Sequence, residues 1–379
     1  MAGPILIYGD SFRSADMRQA VPLGVPDPFL YAESDGSRHV FVSSMEATRV
    51  RELGLFDVHV PEELGYDELV ASGLDSREIR AQLAVRAVAS LGLKQASVPE
   101  NFPVWLADRL RGDGIELDVD QELFDDRRRA KTEAQLAGLR RAQRAAEAAM
   151  DTCRDLLRRA EIQGDELLLD GEPLTVERVK AEMSVVFAAH DTTADEYIVA
   201  PGAQGAVGHD MGSGSIRPNT PLVVDIFPRD NVSAVYTDMT RTFVVGDVPE
   251  DVREWHRLCK EALDRAVAEI RAGADCRAIF DGTCDIFEAA GEPTQRTKKP
   301  GETLADGFFH GLGHGVGLEV HEAPGLGRLA NKTLVAGDVV TVEPGLYRAG
   351  YGGVRLEDIV LVTGGGAEVI TNYPYDLEP

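Results

Sequence analysis

Apolar positions recur along the chain in two rhythms. Runs such as Ile5-Leu6-Ile7-Tyr8, His39-Val40-Phe41-Val42 and Ala96-Ser97-Val98-Pro99 read as strands, and residues 77–91 have helical spacing. Strands alternating with helices predict a small α/β domain. It carries no clustered His, Cys or carboxylate pattern, so its expected role is support or dimerisation. Gly112-Asp113-Gly114 signals a turn, and Asp125-Asp126-Arg127-Arg128-Arg129 reads as a solvated charge run. The character of the chain changes there, which predicts one domain over residues 1–127 and a second over 128–379.

Beyond that boundary the helical rhythm takes over. Thr132-Glu133-Ala134-Gln135 reads as a capping box, and Leu136, Leu139, Ala146, Ala149, Cys153, Leu156 and Leu157 then share one face to about residue 160. A second helix begins at Thr175 and carries Val179, Met183, Val186 and Phe187 on one face. Strands are expected over residues 222–227 and 235–245. A third helix presents Trp255, Leu258, Ala262, Ala266 and Ile270, and a fourth presents Ile279, Phe280, Ile286 and Phe287. Gly273 and Gly291 are expected to end them as left-handed caps. Strands return over residues 339–343 and 354–362. No sequence repeat is visible, yet this order of elements predicts two similar α+β halves.

Composition narrows the function classes. The balance of 44% hydrophobic and 27% charged residues is that of a globular protein. A net charge of −25 repels phosphate backbones and anionic lipid, which argues against nucleic acid and membrane surfaces as partners. No run of about twenty apolar residues is present to span a bilayer. The first ten residues lack a basic segment followed by a long apolar one, and the four cysteines form no CxxC pair. A cytoplasmic protein with reduced thiols is expected, and the sequons at Asn231 and Asn331 are then chance matches.

Three segments carry the candidate chemistry. In the first, Asp225 ends the apolar run Val223-Val224-Asp225-Ile226-Phe227, and Asp238 follows thirteen positions later in Tyr236-Thr237-Asp238-Met239-Thr240-Arg241. Burying a carboxylate is costly without a compensating cation or donors. A hairpin of suitable register would place both acids on one sheet face, favouring a metal between them or a shared proton. A strand-end acid and a surface-turn acid are the plainer alternative. The second segment is the glycine-rich string from His310 to Pro324, with His310, His314 and His321. Its glycines argue against a helix and hence against a zinc-protease HExxH site, while their spacing fails GxGxxG. Such glycine density lets backbone approach a ligand closely. In the third, Glu343 ends Val339-Val340-Thr341-Val342 before a Pro-Gly turn, and Glu357 lies near the start of another apolar strand.

Four carboxylates at strand ends, joined by imidazole, suit hard or borderline divalent ions: manganese, cobalt, ferrous iron or zinc. Their charge balances two such ions, which about 3.5–4 Å apart would activate water and polarise a carbonyl. Hydrolysis follows as the expected chemistry, and no GxSxG nucleophile string competes.

In the order and spacing of these motifs, residues 128–375 resemble the pita-bread metallopeptidases: aminopeptidase P, prolidase, methionine aminopeptidase and the metal-free creatinase. The strings GHGVGLEVHE and EPGLY…RLED carry the resemblance. It implies a pita-bread domain with pseudo-twofold halves, preceded by a creatinase-like α/β domain. It also implies two divalent ions, most simply Mn2+, on Asp225, Asp238, His314, Glu343 and Glu357, with Asp238 and Glu357 bridging. His321 would stabilise the oxyanion, and His209 and His310 would border the substrate. Glu343 would carry the proton to the leaving nitrogen, while Arg355 and Arg241 would orient carboxylates. The implied activity is Xaa-Pro aminopeptidase on proline-containing peptides, with Xaa-Pro dipeptidase (prolidase) as the alternative and a homodimer as the assembly. A related C–N hydrolase and a non-catalytic peptide-binding scaffold are the rivals from other classes. Two departures stand out. The family's x-Gly after the first aspartate is Ile226-Phe227 here, and the connection to Asp238 is two residues longer than usual.

Overall fold

The computed structural model describes residues 3–379. The chain divides between Arg128 and Arg129 into two compact units, next to the expected boundary at 127.

The first unit is built on a six-stranded mixed sheet. Its order is Asp57–His59, Ser37–Phe41, Phe29–Ser34, Ile5–Gly9, Gln95–Val98, Glu116–Val119. Period-two alternation sends Leu6, Leu30 and Ala32 to one face, under the helices Ser76–Ser90 and Val104–Gly112. Ile5, Ile7, Phe29 and Tyr31 face the other way, against Met17, Val50 and Phe124. Both faces are thus covered, as the short apolar runs require. The run from Asp125 to Arg129 corrects an expectation. It closes the helix Gln121–Arg129, and Arg128 and Arg129 are buried rather than solvated. Each guanidinium meets a carboxylate: Arg127 that of Glu33, Arg128 that of Asp16, and Arg129 that of Asp338. Paired charges can enter the interior where lone ones cannot.

In the second unit the helix Glu133–Arg159 starts at the Thr132/Gln135 capping box and packs on Val176–Ala189. Ala146, Ala149, Cys153, Val179, Met183 and Phe187 cover an antiparallel sheet of Ile198–Pro201, Leu222–Ile226 and Met239–Phe243. The scheme then recurs. Helices Glu250–Glu269 and Cys276–Ala289 pack Trp255, Leu258, Ala262, Phe280 and Phe287 against a five-stranded sheet. That sheet runs Glu322–Leu326, Gly313–Gly315, Val339–Val342, Asp358–Val362, Ala367–Val369, with a separate hairpin of Gly345–Arg348 and Gly352–Arg355. Two α+β halves of one design result.

Three boundaries differ from expectation. The return strand begins at Met239, not Val235, because Tyr236 leaves the sheet to donate its N–H to Gly317. The third helix ends at Glu269, where buried Ile270 turns to extended geometry; Gly273, at φ +85°, serves the following turn. Gly291 does follow the fourth helix in the left-handed region. The run 354–362 breaks at Leu356-Glu357, which frees Glu357 from the ladder.

Phe287 is wholly enclosed, so Phe287→Ala should cost about 3–5 kcal/mol in urea unfolding. Val185→Ala, on the solvated face of its helix, should stay within about 0.5 kcal/mol.

Candidate metal centre

The antiparallel register sets Asp225 opposite Thr240, and Asp238 precedes Thr240 by two residues. The even offset keeps both acids on one face despite the longer connection. Glu357, in the gap between two strands, receives the Thr240 hydroxyl at 2.7 Å and donates its own N–H to Thr240 O at 3.1 Å. Glu343 follows the strand Val339–Val342 and donates its N–H to Leu312 O at 2.7 Å. Its partner strand carries His314 between Gly313 and Gly315, and close backbone approach demands both glycines. A Cβ on Gly313 would collide with Thr341 O, and one on Gly315 with Ala323 O.

His314 Nδ1 lies 3.1 Å from Gly315 O, which holds the proton there and leaves Nε2 aimed inward. Nε2 stands 3.4 Å from Glu343 Oε1 and 3.9 Å from Asp238 Oδ2. Ligand atoms of Asp238, His314 and Glu357 lie within 4.8 Å of one another. Asp225 is fastened beside them by Arg355, whose Nη2 donates to Oδ2 at 2.5 Å. Arg355 also donates through Nη1 to the Tyr347 hydroxyl at 2.9 Å, and that hydroxyl donates to His310 Nε2 at 2.9 Å. His310 Nδ1 in turn donates to Gly311 O at 2.6 Å, so its ring is a neutral member of a closed chain. The His321 ring stands edge-on to His314 at 4.2 Å, and His209 lines the same cavity.

Nine of the ten predicted site positions border one cavity of about 700 Å³: Asp225, Asp238, His314, Glu343, Glu357, His209, His310, His321 and Arg355. Ile198, Met211, Phe227, Phe309 and Val320 form its apolar wall, so the unusual Phe227 is part of the site. Arg241 is not: its guanidinium holds the backbone carbonyls of Glu357, Tyr373 and Pro374 and the side chain of Asp358. Tyr347 and Thr240 received no role from the sequence, although Tyr347 ends the EPGLY string and Thr240 stands two residues after Asp238. Only the folded register reveals what their hydroxyls touch.

The electrostatics call for cations. Burial, then the neighbouring carboxylates, pushes Asp238 and Glu357 far above the usual carboxylate range. Burial lifts Glu343 to about 7, with Arg355 opposing and Asp225 adding to the rise. Burial lowers His314 to about 4, and burial with the Arg355 charge lowers His310 to about 3. Asp225 Oδ1 and Asp238 Oδ1 are buried with no hydrogen-bond donor. Orphaned carboxylate oxygens, beside an imidazole held in its ligating tautomer, fit divalent metal.

The model of metallopeptidase family M24 matches residues 137–364, more than half of the chain. The chain belongs to metallopeptidase family M24. Among curated relatives, the Xaa-Pro dipeptidase of Pyrococcus furiosus is 33% identical over 203 residues, 52% of this chain and 53% of that one. The probable dipeptidase PepE of Mycobacterium tuberculosis is 30% identical over 245 residues, 59% of this chain and 62% of that one. The chain thus matches about half, or somewhat more, of these relatives' length. The solved Xaa-Pro dipeptidase from Bacillus anthracis superposes with a TM-score of 0.79 at 23% identity, covering 99% of this chain and 94% of the other. The X-Pro aminopeptidase from Thermotoga maritima gives 0.76 at 20% identity, covering 99% and 97%. These likenesses show the pita-bread fold.

The raised carboxyl groups make stability depend on pH when metal is removed. The folded chain keeps the Glu343 proton to about 7, whereas an unfolded chain loses it near 4.5. This contribution to stability is full below pH 4.5 and is lost as pH rises through 7. Chelator-treated protein should therefore lose stability to urea between pH 5 and 7.5 by more than a Glu343→Gln variant does. Excess divalent metal should reverse the loss at pH 7.5. Equal pH dependence in the two proteins would contradict the assignment.

Proposed function

We propose that this M24 protein is a dinuclear-metal hydrolase of Xaa-Pro bonds, acting as an Xaa-Pro dipeptidase. The observation that carries the hydrolytic reading is the buried cage of Asp225, Asp238, Glu343, Glu357 and His314 facing an apolar cavity. For the substrate, the named dipeptidases among the relatives and the motif resemblance are the support. They favour the dipeptidase over the aminopeptidase that the sequence first suggested, and the aminopeptidase becomes the second reading, kept by the X-Pro aminopeptidase fold neighbour.

When bound, two divalent ions, Mn2+ in this reading, supply Lewis acidity at the scissile carbonyl and acidify the attacking water. Asp225, Asp238, His314, Glu343 and Glu357 would hold them. The chain's own groups do the rest. Arg355 keeps one Asp225 oxygen fixed. Glu343 accepts the water proton and delivers it to the leaving nitrogen. That nitrogen is a tertiary amide without N–H, so recognition must use shape instead of a backbone donor. The apolar wall with Phe227 and Phe309 offers such shape. His321, lining the cavity, donates to the carbonyl oxygen as it gains charge. His209 and neutral His310 border the substrate.

The first unit is the creatinase-type domain in this reading. A homodimer and a cytoplasmic location belong to the same proposal. Among the described residues no helix is long and apolar enough to cross a membrane.

Hydrolysis of Ala-Pro beside Ala-Pro-Ala, on chelator-stripped protein with and without manganese, tests the reading. Metal-dependent cleavage of the dipeptide alone is expected. Cleavage of the tripeptide would establish the aminopeptidase instead, and silence on both with metal bound would overturn Xaa-Pro hydrolysis. Asp238→Ala and Glu357→Ala should abolish metal uptake and turnover together. His321→Ala should retain metal and lose about 10²–10³-fold in kcat.

A further inference from the structure

Two buried ion pairs fasten the stretch 129–131 to the segments that present the site. Arg129 donates through Nε and Nη2 to both oxygens of Asp338, at 2.9 and 2.7 Å. Asp338 immediately precedes the strand Val339–Val342, which Glu343 follows. Two residues on, Lys131 Nζ donates to Glu322 Oε1 at 2.5 Å, with the two side chains 2% and 1% exposed. Glu322 follows His321 directly and pairs across the sheet with Gly315, the neighbour of His314. The Lys131–Glu322 pair therefore stands behind both histidines without lining the cavity.

In the loop between those histidines Gly315 and Gly317 supply no side chains, and the backbone bonds Val316 N to Val339 O, Tyr236 N to Gly317 O and Gly317 N to Glu319 O hold its course up to the Glu322 end. Space around the pair is fully used. A Cβ on Gly317 would collide with Glu322 Oε1 and lie 2.8 Å from Lys131 Cε. A buried ion pair is weak evidence for stability, because its desolvation offsets its attraction, but it is well suited to fixing register. Fixed register matters at this place, since a misplacement of about 1 Å at a reacting group can cost about 10²-fold in rate.

We infer that Lys131 is a positioning residue for His321 and His314, acting through the carboxylate of Glu322. The roles of the two histidines rest on the function proposed above, whereas the positioning itself does not.

Lys131→Met tests it, because methionine keeps most of the side-chain volume and removes the charge. The variant should bind the wild-type number of manganese ions and lose about 10²-fold in kcat on the cleaved peptide, with KM changed less than about threefold. Lys131→Arg should recover most of that loss. In chelator-treated protein, the ring NMR signals of His321 and His314 should shift or broaden in Lys131→Met and return in Lys131→Arg. Should Lys131→Met fail to fold, Lys131→Met/Glu322→Met removes both charges and takes its place with the same expectations. Unchanged kcat with unchanged histidine signals in whichever variant folds would overturn the inference. If the wild type cleaves neither peptide, the NMR comparison still decides the positioning role, and only the functional reading falls.

Discussion

Mutual repulsion among carboxylates gathered in a low-dielectric cavity is the constraint on which the second unit depends. Four acids converge there, and burial with the neighbouring carboxylates raises the proton affinities of Asp238, Glu343 and Glu357. Arg355 is the guanidinium of the cage, and it is committed to Asp225 and Tyr347. One buried cation cannot balance four anions. The site must hold protons or divalent ions, and the choice between them links metal, pH and stability in one equilibrium.

The architecture meets this constraint by building each proposed ligand into backbone that is fixed elsewhere. Asp225 belongs to a central strand of one half, while His314 and Glu343 come from adjacent strands of the other. Glu357 hangs between two strands, and its main chain is tied by Thr240 on one side and by Arg241 on the other. Arg241 is itself enclosed by Asp358, Tyr375 and the carbonyls of Tyr373 and Pro374, so the last residues of the chain take part in holding a ligand. Hydrogen bonds donated by Thr240 to Glu357 and by Arg355 to Asp225, with the one Gly315 O accepts from His314, then set the orientation of these side chains. Rigidity comes from the sheets and specificity of direction from this outer layer.

Much of the centre was legible in the sequence because carboxylates at the ends of apolar runs are costly and therefore conspicuous. The helix at Glu133–Arg159 was legible for a similar reason, since Thr132 and Gln135 complete a local bond pattern that needs no tertiary information. What escaped detection is set by long-range geometry. Lys131 and Glu322 are separated by 191 positions, and nothing local marks either as the other's partner. Tyr347 stands eight residues from Arg355, but only the hairpin register brings its hydroxyl between that guanidinium and His310. The Asp125–Arg129 run misleads for the converse reason: its composition is that of a solvated surface, and only the facing carboxylates of Asp16 and Asp338 explain its burial. Gly273 looked like a helix cap, yet the burial of Ile270 ends that helix first.

In the proposed enzyme two divalent ions sharing carboxylates complete this cage. Titration of chelator-stripped protein with Mn2+, followed by electron paramagnetic resonance, tests it most directly. Saturation at two ions per chain and the spectrum of an exchange-coupled pair are expected, because Asp238 and Glu357 would belong to both. Saturation at two with only the six-line signal of isolated manganese, or no uptake at all by the folded chain, would contradict it.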